Sequence, residues 1–226
     1  MSLSSNRIIQ FDALRVLAAL AVVWLHTSAQ RWVICYPSAE WIIRNFNDSL
    51  VRWCVPLFVM ISGALFLDPY KKIKIKDLYT KNIVRIILIF LFWSFIYEAY
   101  SGTLSCGLKC FILNTIHGPF HFWFLKMLIG LYITIPILRT IISNKMIEQY
   151  FIGISLITSF LVPMLLFLIE HINYNFYIFV EKNYDEFEIK IALGYLGYFV
   201  LGHYLMNIKI KEALKYCICT LGISFS

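Results

Sequence analysis

Arg15 and His26 stand inside one long apolar run near the start of the chain, and both are residue types that do chemistry inside membranes. Eleven positions separate them (26 − 15), which at 100° per residue is 20° beyond three turns and about 16 Å along a helix axis. On a helix they share a face. Asp12, Arg15, Ala19, Val22 and His26 make a single stripe at i, i+3, i+4 spacing, with Asp12 placed to pair with Arg15 and small residues leaving room beside the helix. Such a stripe suits a conduit in which a guanidinium at one mouth holds an anionic donor and an imidazole deeper in moves a proton. It suits equally an arginine that snorkels to the interface and a histidine that hydrogen-bonds to a neighbouring helix. Periodicity alone leaves both readings open.

Further along, Lys81 and Arg85 stand about one turn apart at the head of another apolar run, where they can contact phosphate or simply anchor the helix. His121 and Trp123 open the next run. An imidazole beside an aromatic plane suits a sugar ring, although the same pair also anchors helices at an interface. Lys126 is long enough to snorkel, Glu98 and Glu170 lie at run ends where solvation explains them, and His117, His171 and His203 are given no role. The six cysteines, at positions 35, 54, 106, 110, 217 and 219, lack zinc-site spacing, so no metal is expected. Cys106 and Cys110 share one loop and either close a small disulfide in an oxidising compartment or remain two thiols.

The elements that must position these residues follow from composition. Apolar residues make up 60% of the 226 positions and charged residues 15%, which excludes a water-soluble domain. The expected fold is all-α, a polytopic transmembrane helical bundle, with 1–226 as a single membrane-embedded domain. Six complete spans are expected at about 8–28, 50–67, 83–100, 121–138, 150–170 and 189–206. A seventh begins near Ala213 and runs out of sequence, so the chain is expected to be incomplete at its C-terminus. Met1 to Ser28 resembles a secretory signal, but with Arg15 inside its apolar run a retained first span is expected.

The net charge of +7 reads as topology rather than as a nucleic-acid surface, because no basic cluster is interleaved with stacking aromatics. With the N-terminus in the cytoplasm the inner segments hold 11 lysines and arginines and the outer segments 6, which favours that orientation. Lys71, Lys72, Lys74, Lys76 and Lys81 form the densest inner cluster. Internal repeats and interdomain linkers are absent from the sequence.

The stretches FDALRVLAALAVVWLHTSA (11–29), VPLFVMISGALFL (55–67), KNIVRIILIFLFWSFIYE (81–98) and HFWFLKMLIGLYITIPILR (121–139) resemble the acyltransferase-3 family of bacterial membrane acyltransferases, and the likeness continues weakly through GYFVLGHYL (197–205). The resemblance implies transfer of an acyl group, expected to be acetyl, from acyl-coenzyme A as co-substrate to a hydroxyl of a cell-envelope polysaccharide or glycolipid. It places the enzyme in the bacterial cytoplasmic membrane, with no bound cofactor. It carries the essential histidine onto His26 and the first-span arginine onto Arg15. The family's basic pair falls on Asn82 and Arg85, so Asn82 replaces one member and Lys81 stands adjacent.

The residue chemistry agrees with that resemblance. Coenzyme A phosphates need Arg15, Lys81 or Arg85 near the cytoplasmic surface, and His26 can take the hydroxyl proton or act as an acyl-carrying nucleophile. His121 and Trp123 are the expected acceptor contacts. A transporter using Arg15 and His26 as a substrate path is the rival from another class, and a catalytically inactive remnant is a third reading. A transporter is expected to carry inverted repeats and paired broken helices, and neither is visible in the sequence.

Overall fold

The computed structural model describes residues 9–28, 38–101, 107–174, 176–178, 180–181 and 189–208. Eight helices carry the argument: α1 (Ile9–Ser28), α2 (Ala39–Val51), α3 (Cys54–Phe66), α4 (Ile75–Tyr100), α5 (Leu108–His117), α6 (Phe120–Ile142), α7 (Lys145–Ile172) and α8 (Ile189–Asn207). No strand occurs among the described residues. With so many apolar residues the backbone has no water to satisfy it, and helices close their own hydrogen bonds. Helices α1, α4, α6, α7 and the continuous α2–α3 stretch Ala39–Phe66 are long and apolar enough to cross a bilayer. The sixth expected span coincides with α8, and the stretch from Ala213 lies outside the described residues.

Helix ends depart from hydropathy in two places. Helix α2 starts well before position 50 because Ser38 caps it, its hydroxyl accepting from the Trp41 amide at 3.2 Å. Helix α4 starts at Ile75 rather than near 83, and a wide π turn over Leu78–Ile83 lies within it. A second π turn, Ile157–Leu161, lies within α7, where Thr158 Oγ1 donates to the Ile154 and Ser155 carbonyls at 3.0 and 3.2 Å.

The chain divides into two compact units, Met1–Asp68 with Met146–Ser226, and Pro69–Lys145. In the first unit α3 and α8 run antiparallel and nearly touch. A Cβ on Gly63 would sit 1.8 Å from the Phe199 carbonyl oxygen, and one on Gly202 would sit 2.0 Å from that of Met60. Hydrophobic driving force between helices fades in lipid, so this close backbone approach through small residues is what joins them. Gly197 does the same against α7, where a Cβ would meet Ser155 Cβ at 2.4 Å. Helix α1 joins through Ala18 and Ala21, which form a buried cluster with Val51 and Cys54 that Val22 and Leu25 extend.

In the second unit α4, α5 and α6 pack around an α5–α6 turn. Gly118 adopts φ +68°, caps α5 by donating to the Asn114 carbonyl at 2.7 Å, and lies so close to Phe90 and Ser94 that any side chain there would collide. Arg139 donates from Nη2 to the Lys71 carbonyl at 2.9 Å and so ties the end of α6 to the segment leading into α4.

Candidate functional site

Helix α1 brings the expected residues together in one respect. Arg15 Nη1 donates to Asp12 Oδ1 at 3.1 Å, and the two side chains are 41% and 40% exposed. His26 lies three turns further along the same helix and is exposed. The packed face of α1 runs through Ala18, Ala21 and Leu25, whereas Ala19 and His26 are exposed and only Val22 of the stripe reaches the packed cluster. The Arg15–His26 stripe therefore flanks the packed face instead of forming it.

Beside the first half of α1 lies a cleft of about 450 Å³, lined by Gln10, Phe11 and Leu14, by Leu57, Met60, Ile61 and Ala64 on α3, and by Gly202, Leu205 and Met206 on α8. Phe11 and Leu14 are the chain neighbours of Asp12 and Arg15. The cleft thus opens at the end of α1 that carries the ion pair, and among the described residues Gln10 is its only polar lining side chain.

The second unit holds the other expected residues. Lys81 reaches Asp77 at 3.3 Å across the π turn of α4, and Arg85 is exposed on the helix that follows. His121 sits in a tight turn, Phe120–Phe122, that opens α6. Its ring lies 5.0 Å from Tyr97 and 4.7 Å from Phe122, both edge-on. Trp123 follows with its ring 6.3 Å from Phe124. The expected His121–Trp123 surface is thus extended by Tyr97. Lys126 does not simply snorkel: it donates to the His117 carbonyl and stands 5.4 Å over the Phe90 ring.

The family profile described as an acyltransferase domain matches residues 8–220, nearly the whole chain. The chain belongs to the acyltransferase-3 family. With its long apolar helices, this acyltransferase-3 protein is a multi-pass membrane acyltransferase. No curated protein and no solved structure matches it.

Two pairs in this acyltransferase escaped the sequence reading. Glu148 on α7 and His203 on α8 meet with Oε1 and Nδ1 2.7 Å apart, both buried, although His203 had been given no role. Asp48 on α2 is 2% exposed and accepts from Arg52 Nε at 2.5 Å. A sequence signal existed for the acid of each pair, though not for the partner of Glu148. Glu148 is the acid that opens a strongly apolar run, and Asp48 stands four residues before an arginine on a helix that hydropathy truncated. Among the described residues no group of three or more His, Cys, Asp or Glu could hold a metal ion.

Proposed function

We propose that this acyltransferase moves an acyl group, acetyl in the simplest case, from acyl-coenzyme A to a hydroxyl of a cell-envelope polysaccharide or glycolipid. The acceptor is one such as enterobacterial common antigen, whose O-acetyltransferase the first four spans resemble. The observation that carries this reading is the α1 stripe: an ion-paired Arg15, with His26 about 16 Å further along the same flank, in a chain of an acyltransferase family. The charge distribution supports an N-terminus in the cytoplasm of a bacterial inner membrane, and Arg15, Lys81 and Arg85 are each, on their own helix, candidates to meet coenzyme A phosphates from that side.

In the proposed step His26 accepts the proton of the acceptor hydroxyl as its oxygen attacks the thioester carbonyl. The C–S bond breaks, coenzyme A leaves as thiolate, and the proton held on the imidazole returns to that sulfur. An acyl-histidine relay uses the same residue as nucleophile and reaches the same products. His121, Trp123 and Tyr97 offer flat surfaces for a sugar ring. The test is release of free thiol by purified protein in nanodiscs supplied with acetyl-coenzyme A and cell-envelope glycan. Release by the native chain and not by His26→Gln supports the reading, and equal release by both overturns it.

A further inference from the structure

Charge in this chain is concentrated in the second unit. Residues 69–145 hold ten lysines and arginines and two acids, a formal +8 (10 − 2), although the whole chain carries only +7. The rest is therefore close to neutral. Six of the ten cations, Lys71, Lys72, Lys74, Lys76, Lys81 and Arg85, stand where the chain enters α4. Arg139 donates to the Lys71 carbonyl at 2.9 Å, which brings the end of α6 to the same place. Of the two acids, Asp77 is paired with Lys81 at 3.3 Å, and Glu98 lies 17 residues beyond Lys81 (98 − 81), about 25 Å along α4. Lys71, Lys72, Lys74 and Lys76 are all exposed, and among the described residues none of the four has an ion-pair partner.

Positive-inside bias accounts for lysines on one side of a membrane, but not for what neutralises four of them in so short a segment. The residues between them point to the counter-charge. Tyr70, Ile75 and Tyr79 are 75%, 59% and 40% exposed, and such side chains beside lysines settle at the headgroup level of a bilayer. A single small anion is best held by a fixed fork of arginines. Here the cations are lysines, point charges on flexible stems, and Lys71 to Lys74 precede the first turn of α4. Loose charges with apolar side chains among them suit many headgroups at once.

We propose that the lysine-rich entry to α4 docks on an anionic leaflet, with Lys71, Lys72, Lys74 and Lys76 on phosphodiester headgroups of the phosphatidylglycerol type and Tyr70, Ile75 and Tyr79 at the level of those headgroups. Lipid binding of this kind requires neither acyl transfer nor a particular orientation of the chain.

The test measures binding of pyrene-labelled phosphatidylglycerol and phosphatidylcholine to the purified full chain in neutral detergent micelles, read by energy transfer from its tryptophans. Phosphatidylglycerol is expected to bind about tenfold or more tighter, with the preference shrinking as salt rises from about 0.05 to 0.5 M. Changing all four lysines to glutamine removes the preference, changing all four to arginine keeps it, and Lys109→Gln leaves it within about twofold. The pairs Lys71→Gln with Lys72→Gln and Lys74→Gln with Lys76→Gln each lose part of it, so the outcome does not hang on folding of the fourfold variant. A micelle opens both faces of the chain to lipid, so altered insertion does not imitate the loss. Equal binding of the two lipids, or a preference unchanged in both paired variants, overturns the proposal. So does displacement of phosphatidylglycerol by inorganic phosphate beyond that by chloride of equal ionic strength, which would mark a site for a soluble anion.

Discussion

Glu148 and His203, separated by 55 positions in sequence, meet inside the first unit with a carboxylate oxygen 2.7 Å from the imidazole Nδ1. The other ring nitrogen, Nε2, is buried and has no hydrogen-bond partner among the described residues. Next to them Gln149 donates to the Tyr204 hydroxyl at 3.1 Å. These two bonds fix the register of α7 against α8 at the end remote from the Ser155–Gly197 contact.

Glu148→Ala should therefore destabilise the fold by about 3 kcal/mol, as expected when one member of a buried polar pair is removed. Glu148→Gln, which keeps a neutral hydrogen bond, should cost about 1 kcal/mol. Denaturant unfolding in micelles, with the double variant Glu148→Ala plus His203→Ala, checks this. Strictly additive losses would show that the two side chains do not depend on each other.

His26→Gln retains size and polarity but cannot serve as a base near neutral pH. Transfer should fall by roughly 10² to 10⁴ fold with membrane insertion unchanged. Single-turnover rates with acetyl-coenzyme A read the effect directly, and a wild-type rate would make His26 a structural residue.

Arg85→Ala should raise KM for acetyl-coenzyme A and leave kcat nearly unchanged, because a phosphate contact is equally strong in ground and transition states. Arg85→Lys should recover only part of the affinity, since an ammonium lacks the guanidinium fork. An unaltered KM in Arg85→Ala would remove Arg85 from the donor site.

Gly63→Ala and Gly202→Ala force a methyl group into the backbone of the partner helix. Each should cost about 1–3 kcal/mol. Gly153→Ala, where a Cβ meets nothing within 4 Å, should instead be neutral or gain up to about 1 kcal/mol from helix propensity. Thermal melts of the three variants separate the cases, and equal melting temperatures would mean that α3 and α8 are not held by close approach.

A cysteine at Lys74, in a background free of other cysteines, should resist an impermeant thiol reagent in intact cells, whereas one at Leu108 should react. The reverse pattern would invert the topology drawn from the lysine distribution.

Sequence periodicity exposed what is local. The Arg15–His26 stripe was legible because one uninterrupted helix carries both residues, and the main apolar runs were legible because each must satisfy its own backbone. The π turns were not, since each adds one residue to a turn without altering hydropathy. Glu148–His203 was out of reach because nothing in either segment reports a partner 55 positions away. Asp48 was missed for another reason. It lies upstream of the apolar core of its helix, where a carboxylate reads as solvated, and its burial is a tertiary property that its own segment does not report.

The glycine contacts between α3 and α8 also limit how anything can travel through the first unit. With backbones this close at Gly63 and Gly202, neither a lipid tail nor a file of water can pass along that seam. The pair works as a wall. Anything entering there would first have to prise the two backbones apart, so the seam can hold α3 and α8 together but cannot open as a path.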